Sequence, residues 1–277
     1  MNLDDKKGDM HKLRFQSFAS GSSGNCYFLG NASKGILIDA GIGVRTIRKN
    51  LRAIGLDFKD IWGIFVTHDH ADHIRAVGSL GEIHHIPVYA TRKTHEGINK
   101  SYCVTEKLNG SRRYIEKGET INIADFQVTS FNVSHDATDS VGYAIEYLGK
   151  KFVVATDLGF VGEEASFHLR NANYMIMEAN YDEKMLETGK YPADLKRRIR
   201  ANTGHLSNDQ AGKFLADNYQ QHLEMVFLCH LSNENNRPEI AYSTVKDYLE
   251  KAKIHIGEDL QLITLDRFEP TELFVLE

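Results

Sequence analysis

IWGIFVTHDHADHI, residues 61–74, decides the fold. Its first half is an apolar run with the composition of a buried strand, with Trp62 expected in the core. Its second half crowds His68, Asp69, His70, Asp72 and His73 into a turn, with a helix expected from about Ala71. Alternate residues of an extended segment point the same way, so His68 and His70 can grip one metal ion. Asp72 and His73, in the first helical turn, can reach a second. Imidazole together with carboxylate suits zinc, with manganese and iron as alternatives.

The same grammar, an apolar strand ending in a ligand-type residue, recurs along the chain. GIFVT runs into His68, FNVS into His135, FVVAT into Asp157, YMIM into Glu178 and VFLC into His230. Strands of one sheet place corresponding ends along a common edge, so these endings can converge on one cleft. Other β-rich runs are LRFQSFAS (13–20), CYFLG (26–30), GILIDAG (35–41), VGYAIEYL (141–148), and LITLD and ELFVLE near the end of the chain. Helices are expected from Val44, where Ile47, Leu51 and Ile54 follow at helical spacing, and from Pro238, a favoured first-turn residue. Strands interleaved with helices predict two sheets covered by helices in a single domain over residues 13–277, after a disordered lead-in over residues 1–12.

Composition narrows the class. A formal charge of −5 does not mark a polyanion binder, although a local basic stripe on an acidic protein can still guide one. Three cysteines without paired spacing argue against a disulfide framework. No apolar run approaches the roughly 18 residues of a membrane span, and the polar start lacks a signal-peptide core, so a cytoplasmic enzyme is the simplest reading. Thirteen histidines are the compositional oddity. His84, His85, His95, His168, His222 and His255 fall in amphipathic or polar segments and are expected to be surface or packing residues.

The H-x-H-x-D-H run, followed in order by a His, an Asp and a final His, resembles the signature of the metallo-β-lactamase superfamily. The resemblance implies an α/β (α+β) fold, a four-layer αββα sandwich with two mixed sheets flanked by helices. It also implies a ligand set. His68, His70 and His135 would bind one divalent ion, and Asp72, His73 and His230 a second, with Asp157 bridging both. Two such ions acidify a bridging water and polarise the oxygen under attack, which is hydrolysis without a protein nucleophile. Only about seventy residues separate Asp157 from His230, too few for the inserted domain of the larger nucleases of this fold.

Met177-Glu178-Ala179-Asn180 and Gly204-His205-Leu206-Ser207 resemble the H-E-A-T and G-H-S-T segments of ribonuclease Z, with departures at Met177, Asn180 and Leu206. The resemblance makes Glu178 a holder of His205, and His205 a proton donor to the leaving oxygen. Asp72, Glu178 and His205 are thus the candidate catalytic residues. Ser207 and Gln210 form an S-x-x-Q capping box that starts a helix just after His205. The basic run Lys196-Arg197-Arg198-Ile199-Arg200 lies upstream, with Arg197 and Arg198 as candidate phosphate contacts and Tyr181 and Tyr191 beside it as candidate base-stacking rings.

The loop Ser20-Gly21-Ser22-Ser23-Gly24-Asn25-Cys26, with GHLSN at 204–208 and CHLSN at 229–233, resembles the YycJ/WalJ-type branch of the superfamily. That branch implies exonuclease action on single-stranded DNA, with Ser22, Ser23, Asn25, Ser232 and Asn233 near phosphate and a link to DNA repair. A small-molecule hydrolase acting on a cyclic phosphodiester, lactone or thioester is the alternative, and a non-catalytic nucleic-acid-binding module a third. The sequence leaves open whether the chain forms a homo-oligomer.

Overall fold

The computed structural model describes residues 11–277. Of the lead-in expected over residues 1–12, residues 1–10 lie outside the described residues; Lys12 forms an ion pair with Glu277. The chain divides into two compact units, one running up to Glu116 and rejoined by Phe268–Glu277, the other spanning Lys117–Arg267.

The first unit is built on a seven-stranded mixed sheet in the order β14-β1-β2-β3-β4-β5-β6. Its strands are β1 (Leu13–Gly21), β2 (Gly24–Gly30), β3 (Gly35–Ile38), β4 (Ile61–Phe65), β5 (Val88–Ala90), β6 (Arg112–Tyr114) and β14 (Phe274–Leu276). β14, β1, β2 and β3 pair antiparallel, and β3 to β6 run parallel. Parallel neighbours need crossovers. These are supplied by α1 (Val44–Ala53), by the segment holding the single turn α2 (Ala71–Ile74) and a π turn at Ser79–Ile83, and by α3 (Arg92–Lys100). The helix expected from Ala71 is therefore one turn long. Phe18, Phe28, Leu37, Ile64, Val66 and Val88 are among the buried side chains of the core.

Two expectations change here. Trp62 is not in the core: it is 42% exposed. The register of β4 against β3 shifts between the Gly35–Ile61 and Leu37–Ile64 pairs, and this irregularity turns residue 62 outward while Ile61, Gly63, Ile64 and Phe65 stay buried. The Lys34 ammonium lies 4.8 Å from the Trp62 ring centre. The strand also ends at Phe65, leaving Val66, Thr67 and His68 extended beyond it.

Glu82 fastens this unit's last crossover. Its carboxylate accepts from the backbone N–H groups of Asn109 (2.8 Å) and Ser111 (3.1 Å) and from the Ser111 hydroxyl (2.6 Å). Those bonds, led by the Asn109 N–H, hold the carboxyl down at about 2, against an ordinary 4.5. A depressed carboxyl stabilises the fold above its unfolded value, and that stabilisation is lost as pH falls from about 4.5 toward about 2. Glu82→Gln is therefore expected to lower Tm at neutral pH and to flatten the acid limb of a Tm-against-pH curve. An unchanged acid limb would reject this anchor.

The second unit repeats the plan. Its sheet has the order β13-β12-β11-β10-β9-β8-β7, from β7 (Thr120–Ile123), β8 (Phe126–Asn132), β9 (Val141–Tyr147), β10 (Lys150–Ala155), β11 (Tyr174–Glu178), β12 (Met225–Cys229) and β13 (Gln261–Thr264). β7 to β10 pair antiparallel, and β10 to β13 run parallel. The parallel strands are crossed by α4 (Glu163–Arg170), then by α5 (Glu183–Thr188), α6 (Ala193–Arg200) and α7 (Asn208–Asn218), and finally by α8 (Pro238–Lys251), with proline in the first turn as expected. Val153, Met175, Met177, Val226, Leu228 and Val245 are buried in its core. Both sheets are thus mixed and flanked by helices. Among the described residues no helix is long and apolar enough to cross a membrane, and no cysteine is in a disulfide.

Candidate functional site

In both units most ligand-type residues lie at or just past the carboxyl ends of parallel strands, where open α/β sheets place their chemistry, while His135 follows the antiparallel strand β8. In the first unit His68, His70, Asp72 and His73 gather around α2. The His68 ring centre lies 4.7 Å from that of His70 and 4.0 Å from that of His73. Asp69 turns away: its carboxylate packs against Gly97 of α3, where a Cβ would meet it at 1.8 Å.

Asp39, one residue beyond β3, organises this group. Its Oδ2 accepts from His73 Nδ1 (2.7 Å) and from the Thr67 hydroxyl (2.8 Å), and its Oδ1 from the Thr67 N–H (2.8 Å). Because the Thr67 hydroxyl donates to Asp39, it is left to accept from His68 Nδ1 at 3.0 Å. Both imidazoles are therefore held through Nδ1, the tautomer that leaves Nε2 as the donor toward a metal. Burial pushes the Asp39 carboxyl up, and the His73 and Thr67 contacts pull only part of that back.

Asn25 belongs to the same network. It is buried, and its amide nitrogen lies within hydrogen-bond distance of Gly21 O (3.1 Å), Asp72 Oδ2 (3.2 Å) and His73 Nε2 (3.0 Å). Ser22 and Ser23, by contrast, are exposed in the β1–β2 turn. Gly41 lets α2 approach: a Cβ there would lie 1.6 Å from the Asp72 carbonyl oxygen.

In the second unit Glu178, the last residue of β11, holds the centre. It is fully buried, and each of its oxygens accepts twice. Oε1 takes His205 Nδ1 (2.7 Å) and His230 Nδ1 (2.9 Å); Oε2 takes the backbone N–H of Leu158 (2.7 Å) and Leu206 (3.1 Å). Burial pushes this carboxyl up, but the His205 charge and the imidazole hydrogen bonds outweigh it and hold it below its ordinary value. Burial likewise pulls His205 down, and Glu178 with Asp157 more than reverses that, so its pKa is raised. Asp157 Oδ1 lies 3.3 Å from His230 Nδ1 and 3.6 Å from His135 Nε2, and its Oδ2 accepts from the Thr156 hydroxyl at 2.8 Å. His135 Nδ1 donates to the Gly204 carbonyl at 3.1 Å. Asn180 donates to the His230 carbonyl at 2.7 Å.

The backbone contributes too. Asp39, Asp157 and His230 have φ of 59°, 55° and 54°, a region uncommon for residues with a Cβ. Each follows a parallel strand, and the left-handed turn redirects the chain there. Such conformations cost on the order of 1–3 kcal/mol each and persist where the surroundings over-determine them. The donor sets fit divalent ions of intermediate softness: several imidazoles, each with Nδ1 engaged by a protein acceptor, and a buried carboxylate.

Ser207 caps α7, accepting from Gln210 N–H at 3.2 Å while Gln210 accepts from Ser207 N–H at 2.8 Å. Ser232 is buried and its hydroxyl accepts from the Asn235 N–H; Asn233 is exposed and donates to Glu234. Arg197 pairs with Asp194, Arg198 with Asp136 and Arg200 with Glu183, while Lys196 donates to the carbonyls of Glu187 and Gly189. Tyr181 is only 2% exposed and packs with Leu186 and Ile199, so it presents no ring to a base. His95 is a packing residue donating to the Arg113 carbonyl, and His168 stacks on Phe131. Sequence reading missed Asp39, although GILI-Asp follows the same strand-then-ligand rule as the strands it did find, and it missed Thr67 and Asn180, which carry no such signal.

The β-lactamase superfamily domain profile matches residues 34–230. The chain is 33% identical to the exodeoxyribonuclease YycJ of Bacillus anthracis over 94% of its length and 98% of that protein. The chain belongs to the metallo-β-lactamase superfamily. Within it, exodeoxyribonuclease WalJ of Streptococcus pneumoniae is also 33% identical, over 90% of this chain and 93% of that one. The zinc-bound PqqB of Methylobacterium extorquens shares the metallo-β-lactamase fold, with a TM-score of 0.70 at 15% identity over 94% of this chain and 99% of that one. This metallo-β-lactamase-fold protein is a metal-dependent hydrolase that binds divalent ions.

Proposed function

We propose that the chain is an exonuclease that hydrolyses phosphodiester bonds of single-stranded nucleic acid, DNA in the first place, and that His205 delivers a proton to the leaving oxygen. The observation that carries this reading is the Glu178–His205 pair, 2.7 Å apart, with the carboxylate wholly buried and the imidazole 21% exposed. A proton donor must reach solvent-borne substrate while its partner stays fixed, and this pair divides those tasks. The YycJ and WalJ relatives, named as exodeoxyribonucleases, support the substrate class.

The ligand assignment is proposed on the superfamily pattern: His68, His70 and His135 for one ion, Asp72, His73 and His230 for the other, and Asp157 shared. The unbroken family match from residue 34 to residue 230, which includes all seven, supports it. Zinc is the first candidate, with manganese and iron as alternatives. The ions supply Lewis acidity, acidifying water and offsetting charge on the phosphoryl oxygens. The protein's part is positional. Asp39 and Thr67 fix the His73 and His68 rings, Glu178 fixes His205 and His230, and Asp72 is steadied by the Asn25 amide. Ser22 and Ser23, exposed in their turn, are available to phosphate. A cytoplasmic enzyme acting in DNA repair is the setting this activity suits.

His205→Ala is expected to keep the wild-type metal content while cleavage of end-labelled single strands falls about 10²–10⁴-fold, the usual worth of general acid catalysis. Metal analysis beside digestion of labelled DNA and RNA strands tests it. Undiminished turnover would reject the acid role, and wild-type enzyme that cleaves neither nucleic acid would reject the nuclease reading.

A further inference from the structure

The basic run at 196–200 is largely neutralised, since each of its three arginines faces a carboxylate. The first unit holds the opposite case. Arg92 and Lys93 open α3, Arg112 and Arg113 occupy β6, and among the described residues none of the four is in an ion pair. Arg113 donates to the carbonyls of Gly110 (3.1 Å) and Arg112 (2.7 Å), and Arg112 reaches only the Asn109 amide and carbonyl oxygens, at 3.4 and 3.5 Å. Neutral oxygens orient a guanidinium without cancelling its charge. The Arg92 guanidinium lies over the ring of Tyr114, 4.5 Å from its centre, and Tyr114 is 43% exposed. Buried His95 secures that corner, donating to the Arg113 carbonyl at 3.1 Å with its ring edge-on to Tyr114 at 5.3 Å.

Position gives the patch meaning. β4, β5 and β6 are consecutive parallel strands, with Phe65 beside Tyr89 and Tyr89 beside Arg113. Neighbouring strands lie about 4.8 Å apart, so β6 runs roughly 10 Å from the strand that leads into His68. Arg92 and Lys93 follow β5 and Tyr114 ends β6 at the same carboxyl edge from which His68 and His70 project. Arg112 and Arg113 open β6 and reach back to Asn109 and Gly110, toward the other end of the strand. In a protein of net charge −5 the four cations thus run along the edge strand up to the end of the sheet that bears His68 and His70.

We propose that Arg92 and Lys93 at the start of α3 and Arg112 and Arg113 on β6, with Tyr114 between the two pairs, form a track for the phosphate backbone of a single-stranded nucleic acid. The track rests on the nuclease reading and deepens it: it assigns the polyanion-binding surface to the β5–β6 edge and α3. Phosphate contacts of this kind act through charge and are read without regard to base sequence.

The test is equilibrium binding of fluorescent phosphorothioate oligothymidine and oligouridine, which resist cleavage, to the metal-loaded enzyme over a salt series. For single strands the slope of log K against log salt is about −0.7 per phosphate contact. The triple variant Arg92→Gln/Arg112→Gln/Arg113→Gln is expected to flatten that slope by about 2 and to weaken low-salt binding roughly tenfold or more. Single Arg92→Gln and Arg112→Gln variants, each expected to flatten it by about 0.7, serve if the triple variant does not fold. Lys213→Gln, at an exposed Lys213–Asp217 pair, is the control and should keep the wild-type slope. Wild-type binding with an unchanged slope in the arginine variants would overturn the track and leave the nuclease reading standing. A wild-type enzyme with no salt-dependent binding of either oligonucleotide would overturn both.

Discussion

Glu178→Gln is expected to unsettle the second unit and to loosen its hold on metal together. The carboxylate has four donors converging on two oxygens: two imidazole N–H groups and two backbone N–H groups. Glutamine offers one oxygen. Whichever way the amide is turned, its NH2 faces two groups that are themselves donors, at a fully buried position. Removing one partner of a buried charged pair costs about 3–5 kcal/mol, a large share of the stability of a typical domain. The two histidines also lose their common anchor, and lost supports of this kind usually lower metal affinity about 10–100-fold. Thermal unfolding with metal titration of the variant provides the check. A variant with wild-type Tm and metal affinity would show that Glu178 is not the anchor described.

Asp39→Asn is the corresponding change in the first unit. Asp39 Oδ2 accepts from His73 and the Thr67 hydroxyl while Oδ1 accepts from the Thr67 N–H. An asparagine that keeps its oxygen toward His73 must set its NH2 against that N–H, and the reverse flip sets it against His73 Nδ1–H. Either way the chain from His68 through Thr67 to Asp39 is broken or inverted. Metal affinity is expected to fall about 10–100-fold, with cleavage restored in part by raising the metal concentration. Such rescue separates a positioning role from a general loss of folding. Metal content and activity equal to wild type at limiting metal would reject it.

Local chemistry made much of this molecule readable from one sequence. Alternation and apolar runs announced the strands, and the spacing of His68, His70, Asp72 and His73 announced a cluster, because residues so close in the chain have few ways to separate. The capping box at Ser207 and Gln210 was readable for the same reason: its hydrogen bonds span three residues. Trp62 was misread because strand composition tells which run is buried but not which face each residue takes at its start.

Tertiary structure alone decided the partners. Asp39 meets His73 across 34 residues of chain, Glu178 meets His230 across 52, and Asp136 meets Arg198 across 62. The last pairing is the most instructive. In the sequence, Lys196–Arg200 is the densest basic run, whereas Arg92 and Arg112 are scattered and unremarked. Folding brings carboxylates to the arginines of that run and leaves the scattered cations without any, set along the edge strand β6 and the start of α3. A residue's type and near neighbours are written in the sequence, and they determine strands, turns and caps. The charge it presents to a ligand depends on which distant groups the fold sets beside it.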